Sequence, residues 1–325
     1  MQSQRILLAC LFATMLLAGA SAHGQAYPNR PVRMIVPFAP GGASDTVGRI
    51  IQPAMTELLK EQVVVDNRGG AAGNIGVDAA VRATPDGYTF LLGNIGTMAI
   101  NPVYYVSFPH RPLKDLIAIT QVVDVPGGFV VHPSMPVKNV KELVAYLKAN
   151  PGKVNFGAAA PSSASTLEML AFLRMTGTNA VMVPYKGGAG PAVIGLLGNE
   201  TQMTMLTFSS IVNFAKQGRL RMIAVIQPDR NPAMPDVPTM REQGINLTVG
   251  SWQGLFVPRG TPKPVVDRLF EVGVQMMKDP QVVKRLDDLG ITVVTSKSPA
   301  EFTAFVKSET ERFAKVIKEE QIETQ

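Results

Sequence analysis

Residues 32–50, VRMIVPFAPGGASDTVGRI, pass from an apolar run through Pro40, Gly41 and Gly42 to Ser44, Asp45 and the start of a helical pattern. Gly41 and Gly42 lack Cβ atoms, so the backbone can turn sharply there and a ligand can approach it closely. Ser44 or Asp45 is placed to cap the helix, whose free N–H groups and positive dipole end favour a carboxylate or phosphate. The same strand, glycine turn and helix start is also the pattern of a connection that binds nothing, and the loop alone leaves both readings open. It matches neither G-x-x-x-x-G-K-[ST] nor G-x-G-x-x-G, so nothing in it points to a nucleotide.

Outward from this stretch, short apolar runs alternate with helical patterns. A helix over about 45–60, a run at 62–67, a short helix near 74–83 and a run at 88–94 follow the opening. Strands near 117–123 and 128–132, and then runs at 153–159, 180–186, 202–208 and 220–226, are separated by helices over 139–149, 163–176, 189–198 and 210–217. The end reads as helical over 263–278, 280–289 and 299–320. Continuously apolar strands between helices predict an α/β fold with parallel sheets covered on both faces. So many units exceed one sheet, and TQVVDVPGGFVV (120–131) and LTVGSWQGLFVP (247–258) are the candidate crossings between two lobes. The expected division is one discontinuous lobe, 27–122 plus 253–325, with a second lobe inserted at 123–252. Ligands of such folds bind at the carboxyl ends of the strands, here across a cleft.

Three further loops follow strands: GNIGTMAINP (93–102), GAAAPSSAS (157–165), ending at Ser163 as a helix cap, and VPYKGGAG (183–190). Each alone reads as a turn; together they supply the adaptable backbone that a small-molecule cleft requires. Pro53 is expected to kink or shorten the first helix. Trp252 either stacks on a ligand at the lobe junction or packs there. The 16 methionines read as core filler.

The chain has 325 residues, 46% of them apolar and 17% charged, which suits a buried globular core. Arg5, the run ILLACLFATMLLAGA and the small-residue SAHGQA describe a secretory signal over 1–26, cleaved after Ala26 or, alternatively, Ala22. The run is shorter than the roughly 20 apolar residues of a spanning helix. Cys10, the single cysteine, lies inside it; a lipid anchor there is the rival reading. The mature chain is therefore expected to be exported, soluble and free of disulfides and thiol chemistry. The net charge of +6 is scattered, without the basic cluster of a nucleic-acid binder.

A serine hydrolase using Ser44 needs a histidine held by a carboxylate. The three histidines, His23, His110 and His132, sit in the signal or beside prolines, and no G-x-S-x-G elbow is present. Nor do they have metal-ligand spacing. No catalytic residue, metal or cofactor is expected.

Five blocks occur in order: YPNRPVRMIVPFAPGGASD, VVVDNRGGAAGNIGVDAAVRATPDGYTFLLGNIGTMAINP, VPYKGGAGP, MPDVPTMREQG and VPRGTPKPVVDRL. In them the mature chain from Tyr27 onward resembles the tripartite tricarboxylate transporter substrate-binding receptors, the Bug receptors. The resemblance implies a two-lobed periplasmic binding protein of the Venus-flytrap, type II-like class. Such a receptor closes on a small carboxylate held by backbone groups and waters of the first lobe. Carried over, it assigns Phe38, Gly41, Gly42, Ser44 and Asp45, then Gly93, Asn94 and Thr97, to the first lobe's share of the site. Ser163 and Tyr185 come from the second lobe. Asp45 is expected to order the loop rather than touch an anion, because like charges repel. The implied partners are a small organic acid and a two-subunit membrane permease, docked transiently by a monomer. A membrane sensor kinase reading the closed form, or an exported serine hydrolase using Ser44 or Ser163, are the alternatives. The chain departs from the family pattern at Ala160, Ser162 and Thr166, in place of Gly, Gly and His, and at Gln202 in place of an acid. These departures fall in the inserted lobe and bear on ligand identity.

Overall fold

The computed structural model describes residues 27–107, 109–160, 162–247, 250–319 and 324. The expected signal, 1–26, lies outside the described residues. Five strands, β1 (Val32–Val36), β2 (Val63–Asn67), β3 (Thr89–Asn94), β4 (Leu116–Val125) and, later in the chain, β10 (Ser251–Pro258), join the short β11 (Thr292–Val293) in one sheet of order β11-β4-β10-β3-β1-β2. A second sheet has the order β7-β6-β8-β5-β9. It is built from β5 (Gly127–Val131), β6 (Asn155–Ala158), β7 (Val181–Pro184), β8 (Met203–Thr207) and β9 (Arg221–Ile226).

Helices cover these sheets. The first lobe carries α1 (Ala43–Leu59), α2 (Asn74–Val81), the short α3 (Asn101–Tyr104) and α4 (Pro112–Asp115). The second sheet is covered by α5 (Val140–Ala149), α6 (Ala164–Thr176), α7 (Ala189–Leu197) and α8 (Phe208–Lys216). After the chain returns, α9 (Lys263–Met276), α10 (Pro280–Asp287) and α11 (Pro299–Glu319) complete the first lobe. The architecture is α/β and two-lobed, as the sequence predicts.

In β1, Val32, Met34 and Val36 pack with Val47, Ile50 and Ile51 of α1, while Ile35 on the other face joins Leu91 and Phe256. Successive residues of a strand point to opposite faces, so a strand buried on both faces must be apolar throughout.

Three expectations need correction. The sheets are mixed rather than parallel: β10 runs antiparallel to β3 and β4, and β5 runs antiparallel to β8 and β9. Returning and crossing strands need not keep the sense of a βαβ unit. Of the two effects expected of Pro53, shortening does not occur: α1 runs for 17 residues with Pro53 inside it. Its ring sits on the exposed side, and the Arg49 carbonyl it leaves without an N–H partner belongs to an exposed residue. The stretch 93–102 is not a plain loop: Gly96–Ile100 forms a π-type turn leading into α3. Ile95, Met98, Ala99 and Ile100 are at most 2% exposed and pack against Phe302 and Phe256, and this burial holds the turn in place.

The chain passes from β4 into β5 through Pro126 alone and returns through the segment between β9 and β10. The lobes also meet at the opposite side of the cleft. The Ala39 N–H donates to the Gly187 carbonyl at 3.1 Å. Ser162 Oγ donates to Asn101 Oδ1 at 2.7 Å and lies 3.3 Å from the Tyr105 hydroxyl. Ala164 and Leu167 of α6 pack into the first lobe's cluster with Trp252 and Phe302. The arrangement is closed.

Candidate functional site

Between the sheets lies a cavity of about 90 Å³, lined from both lobes and from the crossing strands. That is far below the ~300–1,000 Å³ of pockets for drug-sized molecules, so its occupant is small. An outer groove of about 580 Å³ adjoins it, sharing Phe38, Ala72, Ala159, Ala160 and Gly188 with the cavity wall.

The wall begins at the loop that opens the sequence. Helix α1 starts at Ala43, with Gly42 as its extended N-cap and no side chain capping it. The expected caps, Ser44 and Asp45, are instead the second and third helical residues, because Asp45 is turned back toward the loop. Its Oδ2 accepts the Gly41 N–H at 3.0 Å, and its Oδ1 accepts Arg49 Nε at 2.9 Å and Asn67 Nδ2 at 3.0 Å. Asn67 Nδ2 also donates to the Phe38 carbonyl at 3.0 Å, so one carboxylate and one amide fix both ends of the glycine turn. Burial raises the Asp45 pKa, but the hydrogen bonds and the Arg49 charge outweigh it and hold the carboxyl below its ordinary value. At a helix start the first N–H groups have no intrahelical acceptor. Those of Ala43 and Ser44 therefore remain to be satisfied from the cavity these residues line.

From β3, Asn94 enters the wall, held by Thr97. The Asn94 N–H donates to Thr97 Oγ1 at 3.1 Å, and the Thr97 N–H returns a bond to Asn94 Oδ1 at 3.0 Å. From the second lobe, Ser163 caps α6 by accepting the Thr166 N–H at 3.3 Å, which aims a second helix N-terminus at the cavity through Ala164 and Ser165. Gly188 and Ala189 bring the start of α7 to the same wall. Gly188 has φ +98°, and a Cβ on it would come within 3.1 Å of the Phe38 ring, so only glycine lets the lobes meet there without displacement.

Of the expected residues, Phe38, Gly42, Ser44, Asn94 and Ser163 line the cavity. The others stand outside it. Gly41 and Asp45 order the opening loop. Gly93 is packed, since a Cβ there would lie 2.9 Å from Met98 and the Phe256 ring. Thr97 is fully buried and positions Asn94. Tyr185 lines only the outer groove and donates its hydroxyl to Glu200 Oε2 at 2.9 Å. Burial and the Glu200 carboxylate raise its pKa.

Among the wall residues that the sequence alone did not point to, two are buried polar side chains with unusual surroundings. Gln253 of β10 is 1% exposed, and its Oε1 has no hydrogen-bond partner. Glu168 of α6 is 5% exposed and is the one ionisable side chain among the described residues that line the cavity. Burial pushes its carboxyl well above the usual range, against the opposing charge of Arg312. A signal for it existed: Glu168 lies one turn from Phe172 on the buried face of α6, where an acid is out of pattern.

Trp252 is packed rather than presented to a ligand. It is 2% exposed, donates Nε1–H to Glu309 Oε2 at 3.2 Å, and meets Phe302 and Phe305 edge-on. His110 Nε2 is 2.9 Å from Asp78 Oδ1, and His132 Nδ1 is 2.7 Å from Ser134 Oγ; neither residue lines the cavity.

Residues 47–322 match the family described as the tripartite tricarboxylate transporter family receptor. The protein BugT of Bordetella pertussis is 35% identical over 317 residues, covering 96% of this chain and 97% of that one. The solved periplasmic binding protein BugD superposes with a TM-score of 0.88 at 36% identity, over 92% of this chain and all of its own. Two Rhodopseudomonas palustris structures are also similar. Rpa4515 with adipate has a TM-score of 0.87 at 29% identity, and covers 91% of this chain and 98% of its own. MatC with bound malate has a TM-score of 0.84 at 30% identity, and covers 90% of this chain and all of its own.

Proposed function

The chain belongs to the tripartite tricarboxylate transporter receptor family, a family of solute-binding receptors, and from that premise we propose that it captures a small organic acid in the periplasm. The observation that carries this reading is the composition of the cavity wall. Helix starts from both lobes, α1 and α6, converge on it, and no lysine, arginine or histidine is among its described residues. A carboxylate is the group that free helix N–H donors and positive dipole ends bind without a buried cation.

In this reading the carboxylate rests against the N–H groups of Ala43 and Ser44. Phe38 and Gly42 close over it, and Asn94 and Ser163 contribute side-chain polar groups. Gly41, Asp45, Gly93 and Thr97 act by holding those groups in place, and Tyr185 borders the outer entrance. Charge-assisted hydrogen bonds contribute about 1.5–3 kcal/mol each, and a few of them sustain micromolar binding after the entropy of capture is subtracted. The relatives solved with adipate and malate support an acid of this class. Closure brings Ala39 onto Gly187 and Ser162 onto Asn101, creating a surface that exists only in the loaded form. We assign that surface to a two-subunit membrane permease, approached by a receptor monomer.

Thermal-shift screening of the mature chain against mono-, di- and amino-substituted carboxylates tests the reading. A ligand present at 100 times its Kd stabilises the native state by about 2.7 kcal/mol, which raises Tm by several degrees. If no acid in the panel moves Tm, the assignment fails.

A further inference from the structure

The wall of the cavity that belongs to the crossing between lobes is unlike the wall made by the helix starts. It consists of Val125, Pro126, Gly127, Ser251 and Gln253, with Glu168 reaching it from α6. A Cβ placed on Gly127 would lie 3.5 Å from Glu168 Oε2, so the carboxyl sits against the first residue of β5. Its oxygens accept no hydrogen bond from any described residue. The nearest cation of consequence, Arg312, is committed to Glu309 through Nε at 2.7 Å and Nη2 at 2.8 Å. Gln253, which lines the same cavity, also lacks a partner for its carboxamide oxygen. Two buried polar side chains thus line a small cavity with acceptors that no described residue satisfies. Such groups are costly unless something enters to satisfy them.

We propose that Glu168 is a specificity-determining residue that receives a protonated amine of the ligand, so that the receptor takes an amino-substituted carboxylic acid in preference to a dicarboxylate. The inference rests on the receptor reading above and deepens it. A zwitterion matches the two ends of the cavity: its carboxylate meets the helix starts and its ammonium meets the acid. A dicarboxylate would place a second negative charge at the wall holding Glu168, with no basic side chain there to offset it. Burial raises the pKa of this carboxyl and so disfavours its charged form while no partner charge is present. The arriving ammonium supplies the partner charge that lets it ionise. The malate and adipate bound by relatives answer to those proteins' own walls.

Matched ligand pairs test this by calorimetry on the mature protein: 4-aminobutanoate against succinate, and 5-aminopentanoate against glutarate. In wild type, the amino member of at least one pair binds tenfold or more tighter than its partner. In Glu168→Gln that preference falls at least tenfold, while dicarboxylate affinity changes less than threefold. Glutamine keeps the size and shape of the side chain and carries no charge to bury, so Glu168→Gln should fold with a circular-dichroism melt no lower than that of wild type. Should it misfold, the wild-type pairs alone decide. Tighter binding of dicarboxylates overturns the role of Glu168 and leaves the receptor reading intact. An unchanged preference in Glu168→Gln does the same. Binding by neither class overturns both.

Discussion

Gly190, in the first turn of α7, presses on the opposite lobe. A Cβ there would stand 2.8 Å from the Pro40 carbonyl oxygen, 3.6 Å from Gly41 C and 3.7 Å from Gly42 N. Backbone cannot swing aside as a side chain can, so Gly190→Ala forces the closed lobes apart by roughly half an ångström, the deficit against ordinary packing contact. Overpacking of this kind costs about 1–3 kcal/mol, and the cost falls on the closed form alone. Affinity for the carboxylate identified by thermal shift should drop about 5- to 150-fold, although residue 190 does not line the cavity. The free protein should behave oppositely. Gly190 is not among the residues with positive φ, so alanine suits its backbone and restricts the unfolded chain, adding about 0.4–1 kcal/mol. Calorimetric titration and urea denaturation of the same preparation read the two signs. An affinity within threefold of wild type would refute the claim that closure across Pro40 and Gly190 accompanies binding.

Other substitutions probe the frame around the site. Asp45→Asn should lower stability at neutral pH by about 1.5–3 kcal/mol, the range for hydrogen bonds to a charged group, measured by urea denaturation. Because the native pKa of Asp45 is depressed, its contribution is present above the unfolded value near 3.9 and fades as pH falls through the native one. The deficit of the variant should therefore shrink below about pH 4; a constant deficit contradicts the assignment. Gly93→Ala puts a methyl against Met98 and Phe256 and should cost about 1–3 kcal/mol, read as a Tm lowered by several degrees. Ser162→Ala removes the bonds to Asn101 and Tyr105 across the cleft. It should weaken ligand binding about 2- to 10-fold with the melt of the free protein unchanged, and a lowered melt with unchanged affinity would count against that contact.

Periodicity made most of the fold legible. The run 32–38 and the stripe Val47, Ile50, Ile51, Ala54 dictate a strand and a helix because each must bury a defined face. The helical turn at 96–100 was hidden because its glycine and polar letters describe a loop locally, while the burial that holds it comes from Phe302, some 200 residues later. The sense of β10 was hidden for the same reason: an apolar run fixes a strand, not its direction. At the site, the glycine turn and the Ser163 cap could be read because their chemistry is local. Glu168 could be read as an acid out of pattern on a buried face, but what it and Gln253 face could not, since that depends on which strands they meet once the chain has crossed twice between sheets.

The placement of β10 also governs the order in which the molecule can be assembled. It is the third strand of its sheet, with β4 on one side and β3 on the other. It emerges only after every strand of the second sheet has been made. As the chain threads out in order, β3 and β4 expose unpaired edges until residues 251–258 arrive to close them. The second sheet, encoded continuously from Gly127 to Ile226, has all its strands before the first does. The half that is begun first is thus completed last, and the interval between is when this chain is most open to edge-to-edge aggregation.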